Sequence, residues 1–395
     1  MRIKKRHRRV SNFVRPFFKV FFRMKYNLKV KTTSLPEEGS LILSNHLTSM
    51  DQFIVGVAFK EPIYYMASID IFEHKFIGKL IDYLVAPIHK EKSKKSDLKC
   101  IKECISLGKE NGHICIFPEG NRSYSGNLCY INESIVKLAK VLKKPIVLFN
   151  IIGGYGTSPR WADNIRKGKM DAFVKRVISY EEYKDIDNDE LMKIILNELD
   201  VNNFNDEIRF KSKRKAEYLE RVFFVCPRCE RMSTLVSSYD EITCTNCKMS
   251  FKYNENLTLS SNDKKIKFNH VNEWYDYQKD WISKYDFTLS EEIFTDDKVS
   301  LKIPRLYDSR LFINEGRLVL KQDEILIQGK KEVSSFKLDD IDEMTILGKN
   351  KLNFYVGHET YQIKGTKRLN VLKYMYYYYL RRNKKEGKNN EFLGL

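Results

Sequence analysis

The chain has 395 residues, 42% of them hydrophobic and 31% charged, with a formal net charge of +18. That length accommodates a catalytic domain of ordinary size plus smaller modules, and the composition argues against a disordered or membrane-spanning chain. No apolar run approaches the ~20 residues that a bilayer crossing needs.

The charge is concentrated at one end. Residues 1–32 hold twelve Lys or Arg and no acid, so an anionic partner, nucleic acid or acidic lipid, would be met chiefly there. Arg15, Lys19 and Arg23 interrupt the apolar core that a signal peptide would require, which predicts a cytoplasmic protein. Val10, Phe13, Phe17, Val20, Phe21 and Met24 fall on one helical face, with the three cations at four-residue spacing opposite. Phe18 and Phe22 widen the apolar arc, and Pro16 predicts a break or kink. Aromatics on one side and cations on the other describe a helix lying among lipid headgroups, where each cation contributes ~1 kcal/mol on an anionic membrane. The expected location is peripheral, on the inner face of the cell membrane.

Between residues 38 and 180 short apolar strands alternate with helices. Strands are predicted at 40–44, 63–68, 84–89, 113–117 and 145–152, and helices at 51–59, 75–83, 96–111 and 132–143. That alternation implies an α/β fold, a mostly parallel twisted sheet flanked by helices, with reactive loops at strand ends. Residues 186–222 read as a charged helical bridge. A Trp- and Tyr-rich helix is expected near 272–285, then strands at 318–320, 324–328, 333–338, 343–347, 351–356 and 360–364, with Gly357-His358 as a turn. A helix from 367 to about 382 closes a β-rich, pleckstrin-homology-like module. The implied division is a basic membrane-surface segment 1–32, a catalytic domain 33–221, a cysteine module 222–255, a linker with a helix 256–295, the β-rich domain 296–385 and a polar tail 386–395.

Ser44 to Asp51 follows an apolar strand. Ser49 and Gln52 have the spacing of a capping box, which starts a helix at Met50 and leaves His46 in the turn before it. Residues five apart lie ~140° apart on a regular helix, so this placement is what lets the Asp51 carboxylate reach the His46 imidazole. Such a pair can take the proton of a hydroxyl as it attacks an acyl carbonyl, with Asp51 fixing the tautomer. A second turn follows the strand His113 to Phe117: Pro118-Glu119-Gly120-Asn121-Arg122-Ser123. Gly120 lets backbone approach a ligand, and Arg122 offers a planar fork suited to phosphate.

Asn45-His46 with Asp51, followed at this distance by Phe-Pro-Glu-Gly-x-Arg-Ser, resembles the glycerolipid acyltransferase family, whose best-known bacterial members are the 1-acyl-glycerol-3-phosphate acyltransferases. The resemblance covers roughly residues 35–185. Pro145-Ile146-Val147 matches the family's fourth block, and Val85 to Lys90 aligns with its second, with Lys90 where Arg is usual. Asn121 stands where Thr is commoner. The resemblance implies acyl transfer from acyl-CoA or acyl carrier protein to a lysophospholipid. It casts His46, Asp51 and Glu119 as catalytic and Lys90, Gly120, Asn121 and Arg122 as acceptor-binding, with Glu119 either positioning the acceptor or bracing Arg122. Most simply the acceptor is 1-acyl-glycerol-3-phosphate, giving phosphatidic acid; glycerol-3-phosphate or another lysophospholipid is the alternative.

Cys226-x-x-Cys229 and Cys244-x-x-Cys247, fourteen residues apart, have the spacing of a structural zinc ribbon. Filled entirely by thiolates, such a site has no open position for chemistry. Cys100, Cys104 and Cys115 read as buried thiols. A zinc-ribbon nucleic-acid-binding protein is the reading from another class. The phenylalanines threaded through the basic arm fit lipid better, so no nucleic-acid partner is expected. A regulatory scaffold with an inactive catalytic domain is opposed by the intact His46 and Asp51.

Overall fold

Runs such as Leu41-Ile42-Leu43 and Ile146-Val147-Leu148-Phe149 have no polar alternation, so they suit strands covered on both faces. The computed structural model describes residues 3–68, 75–90, 94–305 and 310–388, without the side chains of 68, 75–78, 90 and 94–97. In it these runs are adjacent central strands. The first region comprises α1 (Lys5–Tyr26), β1 (Leu28–Val30), β2 (Ser40–Ser44), α2 (Asp51–Ala58), β3 (Ile63–Ser68), α3 (Lys75–Val85), β4 (Ile88–Lys90), α4 (Lys94–Lys109) and β5 (His113–Ile116). It continues through α5 (Ser134–Leu142), β6 (Ile146–Ile152), α6 (Gly154–Thr157), β7 (Met170–Ile178), α7 (Tyr180–Tyr183) and α8 (Asn188–Leu199). The sheet order is β1-β7-β6-β2-β5-β3-β4, parallel throughout except where β7 runs against β6. Cores lie on both faces.

Two local expectations fail here for visible reasons. Leu84 and Val85 belong to the end of α3 rather than to a strand; Ala86 takes a left-handed φ of 44° and Pro87 follows, which ends the helix and delays β4 to Ile88. The bridge over 186–222 is helical only to Leu199, apart from a 3-10 turn at Leu219–Arg221. The irregular chain between them instead pushes Phe210 into the core. A Cβ on Gly156 or Gly168 would lie 2.4 or 2.0 Å from that ring, so only glycine admits it.

α1 does not end at Pro16. It carries two apolar stripes. His7, Phe22 and Tyr26 are buried, and Phe18 stacks on Phe53 at 4.8 Å, while Phe13, Phe17, Val20, Phe21 and Met24 stay exposed. Arg15 is tied to the domain through the Lys60 carbonyl (2.5 Å) and Lys19 through Thr32 (3.1 Å). No helix among the described residues is long and apolar enough to cross a membrane.

A second, antiparallel sheet contains β8 (Leu235–Ser238), β9 (Glu241–Cys244), β10 (Ser250–Tyr253) and β11 (Leu259–Ser261). The helix α9 (Val271–Lys284), expected inside a linker, is a core element: Trp274 stacks on Phe223 at 4.0 Å. The Gln278 amide accepts from Phe224 and Val225 N–H and donates to the Val222 carbonyl. The third sheet holds β12 (Phe294–Ile303), β13 (Leu311–Leu320), β14 (Glu324–Gly329), β15 (Val333–Lys337), β16 (Glu343–Leu347), β17 (Lys351–Val356) and β18 (Glu359–Lys364). Its order is β15-β14-β13-β12-β18-β17-β16, antiparallel at every ladder. α10 (Leu372–Glu386) covers it with buried tyrosines; Tyr378 donates to the Ile341 carbonyl and Tyr379 to that of Met344. One continuous apolar core joins the cysteine module, α9 and this sheet.

Candidate active site

The strand β2 is prolonged by one side chain. The Asn45 amide donates to the Ile151 carbonyl at 2.9 Å and accepts from Ile151 N–H at 2.8 Å, mimicking a peptide group in the ladder. The chain then turns, and the turn is organised by Asp51 rather than by the expected capping box. The cap of α2 is Met50, with no side-chain acceptor, and Gln52 merely donates to the Ser49 carbonyl. Asp51 is fully buried; its Oδ2 accepts from Leu47 N–H (2.7 Å), Thr48 N–H (2.8 Å) and His46 Nδ1 (2.8 Å), and its Oδ1 from the Thr48 hydroxyl (2.6 Å). An acceptor-only carboxylate assigns the Nδ1 proton to His46 and leaves Nε2 as the basic nitrogen. The ring stacks on Phe117 at 4.4 Å. Burial lowers the His46 pKa below its ordinary value, opposed by the Asp51 hydrogen bond, so the imidazole is neutral at neutral pH.

The second turn is laced to the first. Glu119 Oε1 accepts from His46 N–H at 2.6 Å and Oε2 from Cys129 N–H at 2.8 Å, while Ser123 N–H donates to the His46 carbonyl at 3.1 Å. Both Glu119 oxygens accept from backbone, so in this structure it braces His46. Burial pushes its carboxyl up to about 8 against the pull of the two N–H groups. Gly120 has φ +70° with open space around its Cα, so a left-handed turn, not crowding, explains the glycine.

Arg122 is buried beside His46, but its recorded partner is the Gly348 carbonyl of the third sheet (3.2 Å). Asn121 is likewise turned toward that sheet, donating to the Ile346 carbonyl at 3.2 Å. The side chain of Lys90 lies outside the described residues. Three contributors escaped the sequence reading. Thr48, three residues before Asp51, and Ser123 lie within the quoted motifs and were findable from them. Arg160 carries no motif and emerges only from the fold: it donates to the carbonyls of Arg122 (2.8 Å), Ile346 (2.6 Å) and Gly348 (2.9 Å).

Cys226, Cys229, Cys244 and Cys247 converge with their sulfurs within 4.8 Å of one another. The Cys226–Cys247 and Cys229–Cys244 separations are 3.6 and 3.8 Å. Tetrahedral thiolates at Zn–S ~2.3 Å have edges of ~3.8 Å, which these two separations match, so the donor set fits zinc. Cys100, Cys104 and Cys115 are buried thiols.

Residues 26–151 match the family model described as Acyltransferase. The chain is 23% identical over 197 residues to a Mycoplasma pneumoniae protein named "Probable 1-acyl-sn-glycerol-3-phosphate acyltransferase", covering 48% of this chain and 71% of that one. It is 28% identical over 160 residues to the 1-acyl-sn-glycerol-3-phosphate acyltransferase of Bacillus subtilis, covering 40% and 76% respectively. A crystal structure of the 1-acyl-sn-glycerophosphate (LPA) acyltransferase PlsC from Thermotoga maritima aligns with a TM-score of 0.40 at 16% identity, over 50% of this chain and 82% of that one. The chain is an O-acyltransferase of phospholipid biosynthesis, similar over its acyltransferase region to the 1-acyl-sn-glycerol-3-phosphate acyltransferases.

Proposed function

We propose that this enzyme moves a fatty acyl group from acyl-CoA or acyl carrier protein to the free hydroxyl of 1-acyl-glycerol-3-phosphate, giving phosphatidic acid. The observation that carries the reading is the Asp51–His46 pair, laced through Glu119 and Ser123 to the turn bearing Arg122. His46 Nε2 takes the hydroxyl proton as the oxygen bonds to the thioester carbonyl carbon. When the tetrahedral species collapses the C–S bond breaks, and the departing thiolate takes the proton from the imidazolium. Asp51 stabilises that imidazolium, Glu119 holds the backbone from which His46 projects, and Arg122 binds the acceptor's phosphate, with Lys90 as a second cation. The names of the relatives support this acceptor.

The four cysteines hold a structural zinc, which would supply no chemistry to acyl transfer. The exposed stripe of α1, with Phe13, Phe17, Phe21 and Met24 above a basic segment, lies on an anionic membrane surface. The third sheet is pleckstrin-homology-like, a reading supported by four meandering strands, then three, and a closing helix.

The test is transfer of a radiolabelled acyl group to lysophosphatidic acid. His46→Ala should cost ~10²–10⁴ in rate with the fold retained; undiminished turnover sinks the assignment. Because burial holds His46 below its usual 6.5, its basic form fills as pH rises through that lowered value. In wild-type enzyme kcat/KM should therefore climb at acid pH and reach its plateau at a lower pH than an unperturbed imidazole would give.

A further inference from the structure

Two guanidiniums lie beside the motif turn with no carboxylate in ion-pair contact among the described residues. Arg122 is 9% exposed and Arg160 0%, and among the described residues neither forms an ion pair. Unpaired buried cations are expensive; burial, and then the charge of Arg160, lowers the Arg122 pKa to about 10, still protonated at neutral pH. Of the five N–H donors on a guanidinium, Arg122 spends one, on Gly348. Arg160 spends three, on Gly348, Ile346 and the Arg122 carbonyl, and lies over the Tyr124 ring at 4.3 Å.

Two of these carbonyls come from the third sheet, Ile346 near the end of β16 and Gly348 in the turn between β16 and β17. Gly348 takes φ +66° there, a conformation an L side chain resists. The turn is pinned by more than the arginines. The Tyr124 hydroxyl donates to the Lys349 carbonyl at 2.8 Å, and the Lys349 ammonium meets Asp163 at 2.8 Å. The turn therefore holds the side chain of the motif arginine directly and its backbone through Arg160.

We propose that the β16–β17 turn completes the acceptor site, with Gly348 and Arg160 as positioning residues that hold Arg122 ready for the acceptor's phosphate; this rests on the acyl-transfer reading above. Arg160 is too deeply buried to touch a ligand and acts through Arg122. It anchors the Arg122 carbonyl and adds a second positive charge, which favours a phosphate over a neutral headgroup. Arg122, fixed by Gly348 and keeping unspent donors, meets that phosphate without first losing side-chain freedom, and such preorganisation strengthens binding.

The experiment uses the full-length protein with Arg160→Lys and Gly348→Ala, each checked by melting temperature. Binding of sn-glycerol 3-phosphate is followed by calorimetry. Transfer kinetics are measured with 1-oleoyl-lysophosphatidic acid and with the phosphate-free acceptor 1-monooleoylglycerol. For Arg160→Lys, Kd for glycerol 3-phosphate and KM for lysophosphatidic acid should rise about tenfold or more. The rise in KM should outweigh any fall in kcat, and the monoacylglycerol should be affected far less. Folded variants with unchanged Kd overturn the proposal, since the turn then only ties modules together. Tighter binding or faster turnover also overturns it, because the turn would be competing with the phosphate. Wild-type protein that binds glycerol 3-phosphate but transfers no acyl group defeats the acyl-transfer reading alone, and the variants' Kd still decides the role of the turn.

Discussion

The first and third sheets both have seven strands and bring residues to the same place by opposite means. In the first, parallel but for β6–β7, helices cover both faces, and chemistry-bearing side chains leave from loops after strand C-termini, His46 after β2 and Arg122 after β5. In the third, every ladder is antiparallel, α10 seals one side, and what reaches the site is backbone: the carbonyls of Ile346 and Gly348. The first region recruits side chains whose identity matters. The second recruits a shape, which many sequences could draw.

The hardest blow to the second region would be loss of the metal proposed for its four cysteines. Cys226→Ser with Cys229→Ser should abolish bound zinc and lower the melting temperature by about 10 °C or more, because the cysteine module shares one core with α9 and the third sheet. Calorimetry with metal analysis checks this, and an unchanged zinc content refutes the ribbon. A sharper cut falls on the first region. Glu119→Gln can still accept one backbone N–H, but its NH2 must then face the other, at His46 or Cys129. A fall in kcat of about 10–100-fold, with donor KM little changed, is expected from steady-state kinetics; full activity would mean that His46 needs no brace. The smallest effect concerns neither sheet. Phe17→Ser with Phe21→Ser should leave the melting temperature alone, since both rings are exposed. Flotation with anionic liposomes should weaken about tenfold or more; undiminished flotation would move the membrane contact elsewhere.

Legibility in the sequence followed the same divide. His46, Asp51 and Arg122 are visible because they sit in two short motifs, each following an apolar strand. Most strands of the first sheet were visible because burial on both faces leaves uninterrupted apolar runs. The partners of Glu119 are not legible, since they are backbone N–H groups 73 and 10 residues away. β12 was missed because Asp296, Asp297 and Lys298 interrupt its alternation at a bulge where Lys298 takes φ 58°. The inner stripe of α1 went unseen because Phe18 and Phe22 were counted with its outer face; periodicity cannot tell which of two apolar arcs meets the domain. Arg160 was invisible for a deeper reason: carbonyl partners have no residue type, so no pattern announces them.

Arg122 leaves the ribosome long before the carbonyl that holds it, 226 residues further on. At ~5–20 residues per second the interval is about 10–45 s. Through that time the chain already possesses His46 and Asp51 but only a slack arginine. A chain cut short before residue 346 would stay in that state. If the β16–β17 turn positions Arg122 as proposed, acceptor affinity then waits on the synthesis of residues 346–348.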